Sequence, residues 1–231
     1  IEEIITKYLN VYDCDDFHLK KEYKWVIPNN IFKNGKGPVV IVYEKTLDKD
    51  IIPYFEKMGY QGLFRDHKEI NRFITQCIPT DEASSLRLKP SLSYTFEEYM
   101  EMMDLRDKDV LLKMDVYNED YDMFKSAWEY IRNSVCLILD IKLVKGVEDL
   151  FEKLNEEFFL VHIHLNNCNK ATAIDINTEK IKGQMTDKLR LVYIKKNRVK
   201  CVRLKGIVNI PSELDTPNCI GSDIVLQYVT Y

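Results

Sequence analysis

Apolar runs of strand length alternate with helix-patterned stretches along the second half of this chain, and no other feature restricts its fold as much. Val110 to Val116 reads VLLKMDV, Val135 to Leu143 reads VCLILDIKL, and Phe158 to His164 reads FFLVHIH. Between them, residues 120–132 and 147–157 place apolar side chains at helical spacing. Upstream, Val39 to Tyr43 is unbroken VVIVY, the pattern of a strand covered on both faces of a parallel sheet. A helix is expected over 48–57, closed by Gly59, then a strand over 60–64 and a helix over 67–76. Thr95 is expected to cap a helix that runs through Met103, after a loop over 77–92. Strands alternating with helices of ~10–15 residues predict βαβ units and an α/β fold with a mostly parallel sheet. Leu189–Lys195 and Val199–Leu204 are expected to pair as a C-terminal antiparallel hairpin through Lys196-Asn197-Arg198, with a last strand over 224–231. Residues 1–38 read as a helical and irregular appendage, with an amphipathic helix over 1–9 and a short strand at Trp25-Val26-Ile27. Residues 39–231 read as the main domain.

In an open sheet of this kind, ligands bind at the carboxyl ends of the strands. Those ends carry Asp66 and His67, Asp115, Asp140 with Lys142, and His164 with Asn166 and Asn167. Period-two alternation puts His162, His164 and Asn166 on one strand face with Leu160, and Val161, Ile163 and Leu165 on the other. Two imidazoles followed by two amides at a strand end form a hydrogen-bonding set suited to a ligand. Plainer readings stand beside each. Asp66 could cap the following helix. Asp140 and Lys142 could be an ion pair. Asp115 precedes a turn and a helix, where an acid is common, although the apolar rest of its strand favours a function. A mixed set of Asp115, Asp140 and His164 has donors suited to a divalent ion, but no metal is assigned.

The formal charge of −4 argues against a nucleic-acid protein with a basic surface. No run approaches the ~18 apolar residues of a membrane span. The six cysteines, at 14, 77, 136, 168, 201 and 219, form no CxxC pair. They read as free thiols in a reducing compartment, which suggests the cytoplasm. The chain begins at Ile rather than Met, and reads as a fragment or a processed product of a larger protein.

Three segments together resemble the FkbM-type methyltransferases: Leu111-Leu112-Lys113-Met114-Asp115-Val116, Phe159 through Asn167 (FLVHIHLNN), and Leu189-Arg190-Leu191-Val192-Tyr193-Ile194. Tyr60 to His67 is similar to the family's second strand, and Leu214-Asp215-Thr216-Pro217-Asn218 to an element near the end of some members. The resemblance covers roughly residues 39–231. It implies a Rossmann-like, seven-stranded methyltransferase sheet and an S-adenosylmethionine-dependent O-methyltransferase acting on a sugar or glycan hydroxyl. It places Tyr43, Asp66, His67 and Asp115 at the cofactor, with Asp66 on the ribose. His164, then Asp115, becomes the candidate general base. His162, Asn166, Asn167, Asp140 and Lys142 would face the acceptor. The chain departs from the family pattern in having no glycine over 44–48, in Tyr117-Asn118 after Asp115, in Lys142, and in Arg190. Those departures keep a second reading open: a non-catalytic module of methyltransferase type that binds a partner or a glycan within a larger glycan-modifying protein.

Overall fold

The computed structural model describes residues 1–15, 17–32, 39–43, 50–59, 61–65, 108–117, 121–168, 173–217, 219–220 and 223–230. Their strands are β1 (Tyr12–Cys14), β2 (Leu19–Glu22), β3 (Trp25–Pro28), β4 (Val39–Tyr43), β5 (Gln61–Arg65), β6 (Val110–Val116), β7 (Cys136–Lys142), β8 (Phe158–Leu165), β9 (Ile174–Asn177), β10 (Ile181–Met185), β11 (Lys188–Lys195), β12 (Cys201–Arg203), β13 (Gly206–Ile210) and β14 (Leu226–Thr230). The helices are α1 (Glu2–Tyr8), α2 (Ile51–Lys57), α3 (Tyr121–Ser126), α4 (Trp128–Ile131) and α5 (Glu148–Glu157).

The central sheet has six strands in the order β5-β4-β6-β7-β11-β8. Neighbours are parallel from β5 to β7, and β11 runs antiparallel to both β7 and β8. The apolar sequences of β4, β6 and β7 account for their central position, because both their faces are covered. On one face Leu112, Met114, Leu139 and Leu191 pack with α1, α3, α4 and α5. On the other, Val42, Ile138 and Val192 pack under Trp25 and Ile27 of the β2–β3 hairpin and Phe55 of α2. The Trp25 and Phe55 rings lie 5.1 Å apart.

The expected Rossmann-like, mostly parallel seven-stranded sheet is overturned. Among the described residues strand exceeds helix and the central sheet is mixed. Three further sheets, β13-β14-β10-β9, β2-β3 and β1-β12, are all antiparallel and hold eight of the fourteen strands. β9, β10 and β13 each leave side chains in solvent, so their sequences are short and polar and do not read as apolar runs. The expected hairpin of 189–195 with 199–204 does not form either. β11 inserts between β7 and β8, while β12 pairs with β1. The single helix expected over 120–132 is two helices, parted at Ala127. The strand or helix expectations for 66–107 fall outside the described residues.

Within residues 1–38, read from sequence as an appendage, the described residues share the core of the rest. Ile4, Ile5, Tyr8 and Leu9 belong to the helix-covered face, and the Tyr8 ring stacks on Phe151. A disulfide joins Cys14 of β1 to Cys201 of β12. A second joins Cys168 to Cys219. The free-thiol expectation is therefore wrong for four cysteines, and the argument for a reducing compartment goes with it. Cys136 is free and fully buried, and burial pushes its thiol pKa up. Cys77 lies outside the described residues.

Candidate functional site

The strand register builds one polar row across the rim of the central sheet. Asp115 of β6 stands opposite Asp140 of β7, Asp140 opposite Arg190 of β11, and Arg190 opposite His164 of β8. One pair further into the sheet, Lys113, Ile138, Val192 and His162 form the parallel row. The alternation read from sequence is broken by a β-bulge. Val192 pairs with His162 but Tyr193 pairs with Leu160, which leaves Val161 as the extra residue. The slip sends Leu160 to the helix-covered face with Ile163 and Leu165, and Val161 to the opposite cluster. Leu160 is therefore parted from the two histidines.

Lys113 holds the acids together. Its side chain is 0% exposed, and its Nζ lies 2.8 Å from Asp115 Oδ1 and 3.0 Å from Asp140 Oδ2. Arg190 forks onto the other side of Asp140, donating from Nε at 2.7 Å and Nη2 at 2.8 Å. Its Nη1 donates to the Lys24 carbonyl at 3.2 Å. Burial alone would raise the Asp140 pKa; the Arg190 and Lys113 charges outweigh it and hold this carboxyl well below the usual range. The Tyr117 hydroxyl, beside this cluster, is pushed up by its burial and by Asp115 and Asp140. Lys142 does not pair with Asp140. Its Nζ lies 4.0 Å from Asp187.

The two histidines meet acids that sequence reasoning had not assigned. His162 Nε2 lies 2.8 Å from Asp215 Oδ1, and Ser212 N donates to Asp215 Oδ2 at 2.8 Å. His164 Nδ1 is 3.6 Å from Asp215, and its Nε2 is 3.4 Å from Asp223. Asp215 is only 2% exposed, which would raise its pKa, yet His162 and His164 bring it below the ordinary carboxylate value. Asn166 accepts from the Cys168 backbone N–H at 2.9 Å. Both amide atoms of Asn167 bond the Cys219 backbone, at 3.0 Å and 2.9 Å. The segment that follows β13 is thus tied to the end of β8 by side chains and by a disulfide.

Asp66 and His67 lie outside the described residues. Tyr43 ends β4, beside Met114 of β6 and Arg65 of β5. Asp115 and His164, the two candidate bases, are three strand spacings apart, or ~14 Å. They cannot serve one hydroxyl together. A metal held by Asp115, Asp140 and His164 does not fit, because Lys113 sits on both acids and Arg190 stands between Asp140 and His164. Among the described residues no group of three or more His, Cys, Asp or Glu is arranged for a metal. Lys113 and Arg190 were visible in the sequence as cations inside apolar strands, the one signal that could have marked them. Asp215 falls in the 214–218 segment, whose resemblance implies no role for it.

A small cleft with room for about one water opens beside this row. Lys21 and Lys24 of the β2–β3 hairpin, His162 and His164 of β8, Arg190 of β11, and Asp215 and Thr216 are among its lining. That space is too small for a ligand of cofactor size. No family model, no curated protein and no solved structure matches this chain.

Proposed function

We propose that this chain is an O-methyltransferase that uses S-adenosylmethionine and acts on a sugar or glycan hydroxyl. One observation carries the reading. From β4 the chain crosses to β5 on one side, and β6 and β7 then extend the sheet on the other, so the strand order reverses between β4 and β6. Ligands bind outside the carboxyl ends of parallel strands at such a reversal. Tyr43 and Asp115 flank it, and both were assigned to the cofactor on the resemblance. Bound there, S-adenosylmethionine supplies an electrophilic methyl group. The protein's task is then to hold the acceptor oxygen in line. Asp115 takes the place of first-choice base, because it stands at the reversal and His164 is ~14 Å away. Lys113 orients its carboxylate. The two disulfides favour an oxidising compartment for this activity over the cytoplasm. Among the described residues no helix is long and apolar enough to cross a membrane.

Calorimetric titration with S-adenosylmethionine tests the reading. Micromolar affinity, about 8 kcal/mol, is expected, with Asp66→Ala weakening it about tenfold or more. A second reading, the non-catalytic module, is favoured by the closed charge pairing: Lys113 and Arg190 already face Asp115 and Asp140. Absence of any heat at millimolar cofactor, with a glycan acceptor present, selects it.

A further inference from the structure

We propose that the Cys168–Cys219 bridge is a site of reversible thiol–disulfide exchange with a dithiol, and that its reduction frees the segment after β13 from the two histidines of β8. Neither step depends on the methyl-transfer reading. The two bridges of this molecule stand in different surroundings. Cys14 and Cys201 face each other in the β1–β12 ladder, and Cys14 is buried. Cys168 and Cys219 are both exposed and lie outside the strands. An attacking thiolate must reach a sulfur, so access separates a labile bridge from an inert one.

The segment held by this bridge runs between two core anchors, Ile210 at the end of β13 and Ile224 just before β14. Among the described residues between them none is buried as a whole, although the Asp215 side chain is turned inward onto His162. Its attachments to the end of β8 are polar: Asp215 to His162, Asp223 to His164, and the Cys219 backbone to Asn167. A segment with few buried apolar contacts opens locally at little cost. The bridge prevents that by fixing Cys219 to Cys168, just beyond β8. In the exchange, a thiolate of the dithiol attacks one of the two sulfurs, forms a mixed disulfide with it and expels the other cysteine as a thiolate. The second thiol then displaces the first cysteine. Two electrons and two protons have passed to the protein, which holds two thiols, and the dithiol leaves as a disulfide. The freed segment can then leave His162 and His164, which are 5% and 4% exposed beneath it.

Graded dithiothreitol on the folded, oxidised protein, followed by alkylation and peptide mapping, separates the two bridges. Cys168 and Cys219 are expected to become alkylated about tenfold or more faster than Cys14 and Cys201. In the singly reduced protein, exchange of the Ser212 and Cys219 amides, which donate to Asp215 and Asn167, should speed up about tenfold or more, while the β11 amides keep their protection. His162 and His164 should react with diethyl pyrocarbonate in that state and not in the oxidised one. Reoxidation should restore the slow exchange. Cys168→Ser with Cys219→Ser should show the fast exchange with no reductant added. Equal alkylation rates at the two bridges, earlier reduction of Cys14–Cys201, or unchanged exchange at Ser212 and Cys219 overturns the proposal. So does loss of protection in β11 once the exposed bridge is reduced, because that bridge would then hold the whole fold and not the segment.

Discussion

Lys113 is the residue on which the rim depends. A fully buried ammonium survives only with partners, and here two carboxylates supply them. Lys113→Met should therefore cost about 3–5 kcal/mol, because Asp115 and Asp140 would face each other without the ammonium between them. Adding Asp115→Leu should recover much of that loss, since a buried pair can be replaced by apolar side chains at little cost. Urea unfolding of the two variants checks the order. Asp140 and Asp215 set the acid limit. Both carboxyls titrate below 3.8 in the folded protein, so the stability they confer is present above that value and is lost as pH falls through their folded pKa values. Unfolding free energy should fall steeply below about pH 4. Asp215→Asn should flatten that fall; an unchanged slope would show that the His162 contact contributes nothing.

At the level of elements, the strands with both faces covered were legible, and the half-exposed β9, β10 and β13 were not. β4 and β6 have the bounds their apolar runs predict, and β7, β8 and α5 differ by a residue or so. β9 and β10 carry Asp175, Asn177, Lys182 and Gln184, which hide a strand from any search for apolar runs. The partners of β11 were unreadable for another reason. Pairing across ~25–50 residues of chain leaves no local signature, whereas the turn at 196–198 mimics a hairpin. The site divides in the same way. Asp115, Asp140 and His164 were found as polar breaks in apolar runs. Their true partners, Arg190, Asp215 and Asp223, are brought in by tertiary pairing, and the bulge at Val161 that turns the histidine pair leaves the alternation intact on paper. One glycine gives the antiparallel sheet a sharp test. Gly183 has φ +125°, and a Cβ there would collide with the Val225 carbonyl oxygen just before β14. Gly183→Ala should cost about 2–4 kcal/mol. Gly59, at φ +86° with open space around it, should lose only about 1–2 kcal/mol on the same change. Thermal melts of the pair decide whether the clash adds to the backbone term.

Across the whole molecule, the two disulfides constrain the unfolded chain as much as the folded one. Their sequence separations of 187 and 51 residues correspond to about 5 and 4 kcal/mol of loop-closure entropy. Reduction should lower the unfolding free energy measured in urea by that order. Alkylation of the unreduced, unfolded protein should spare Cys14, Cys168, Cys201 and Cys219 and modify Cys136; labelling of all four would show that the bridges do not form. The Cys14–Cys201 bridge has a mechanical consequence as well. A force applied at Ile1 and Tyr231 passes along residues 1–14, through the sulfur bridge, and out along residues 201–231. The central sheet and its polar rim lie inside the bypassed loop and bear no tension. Pulled from its ends, the oxidised molecule should extend by at most about 150 Å, against about 800 Å for the reduced chain.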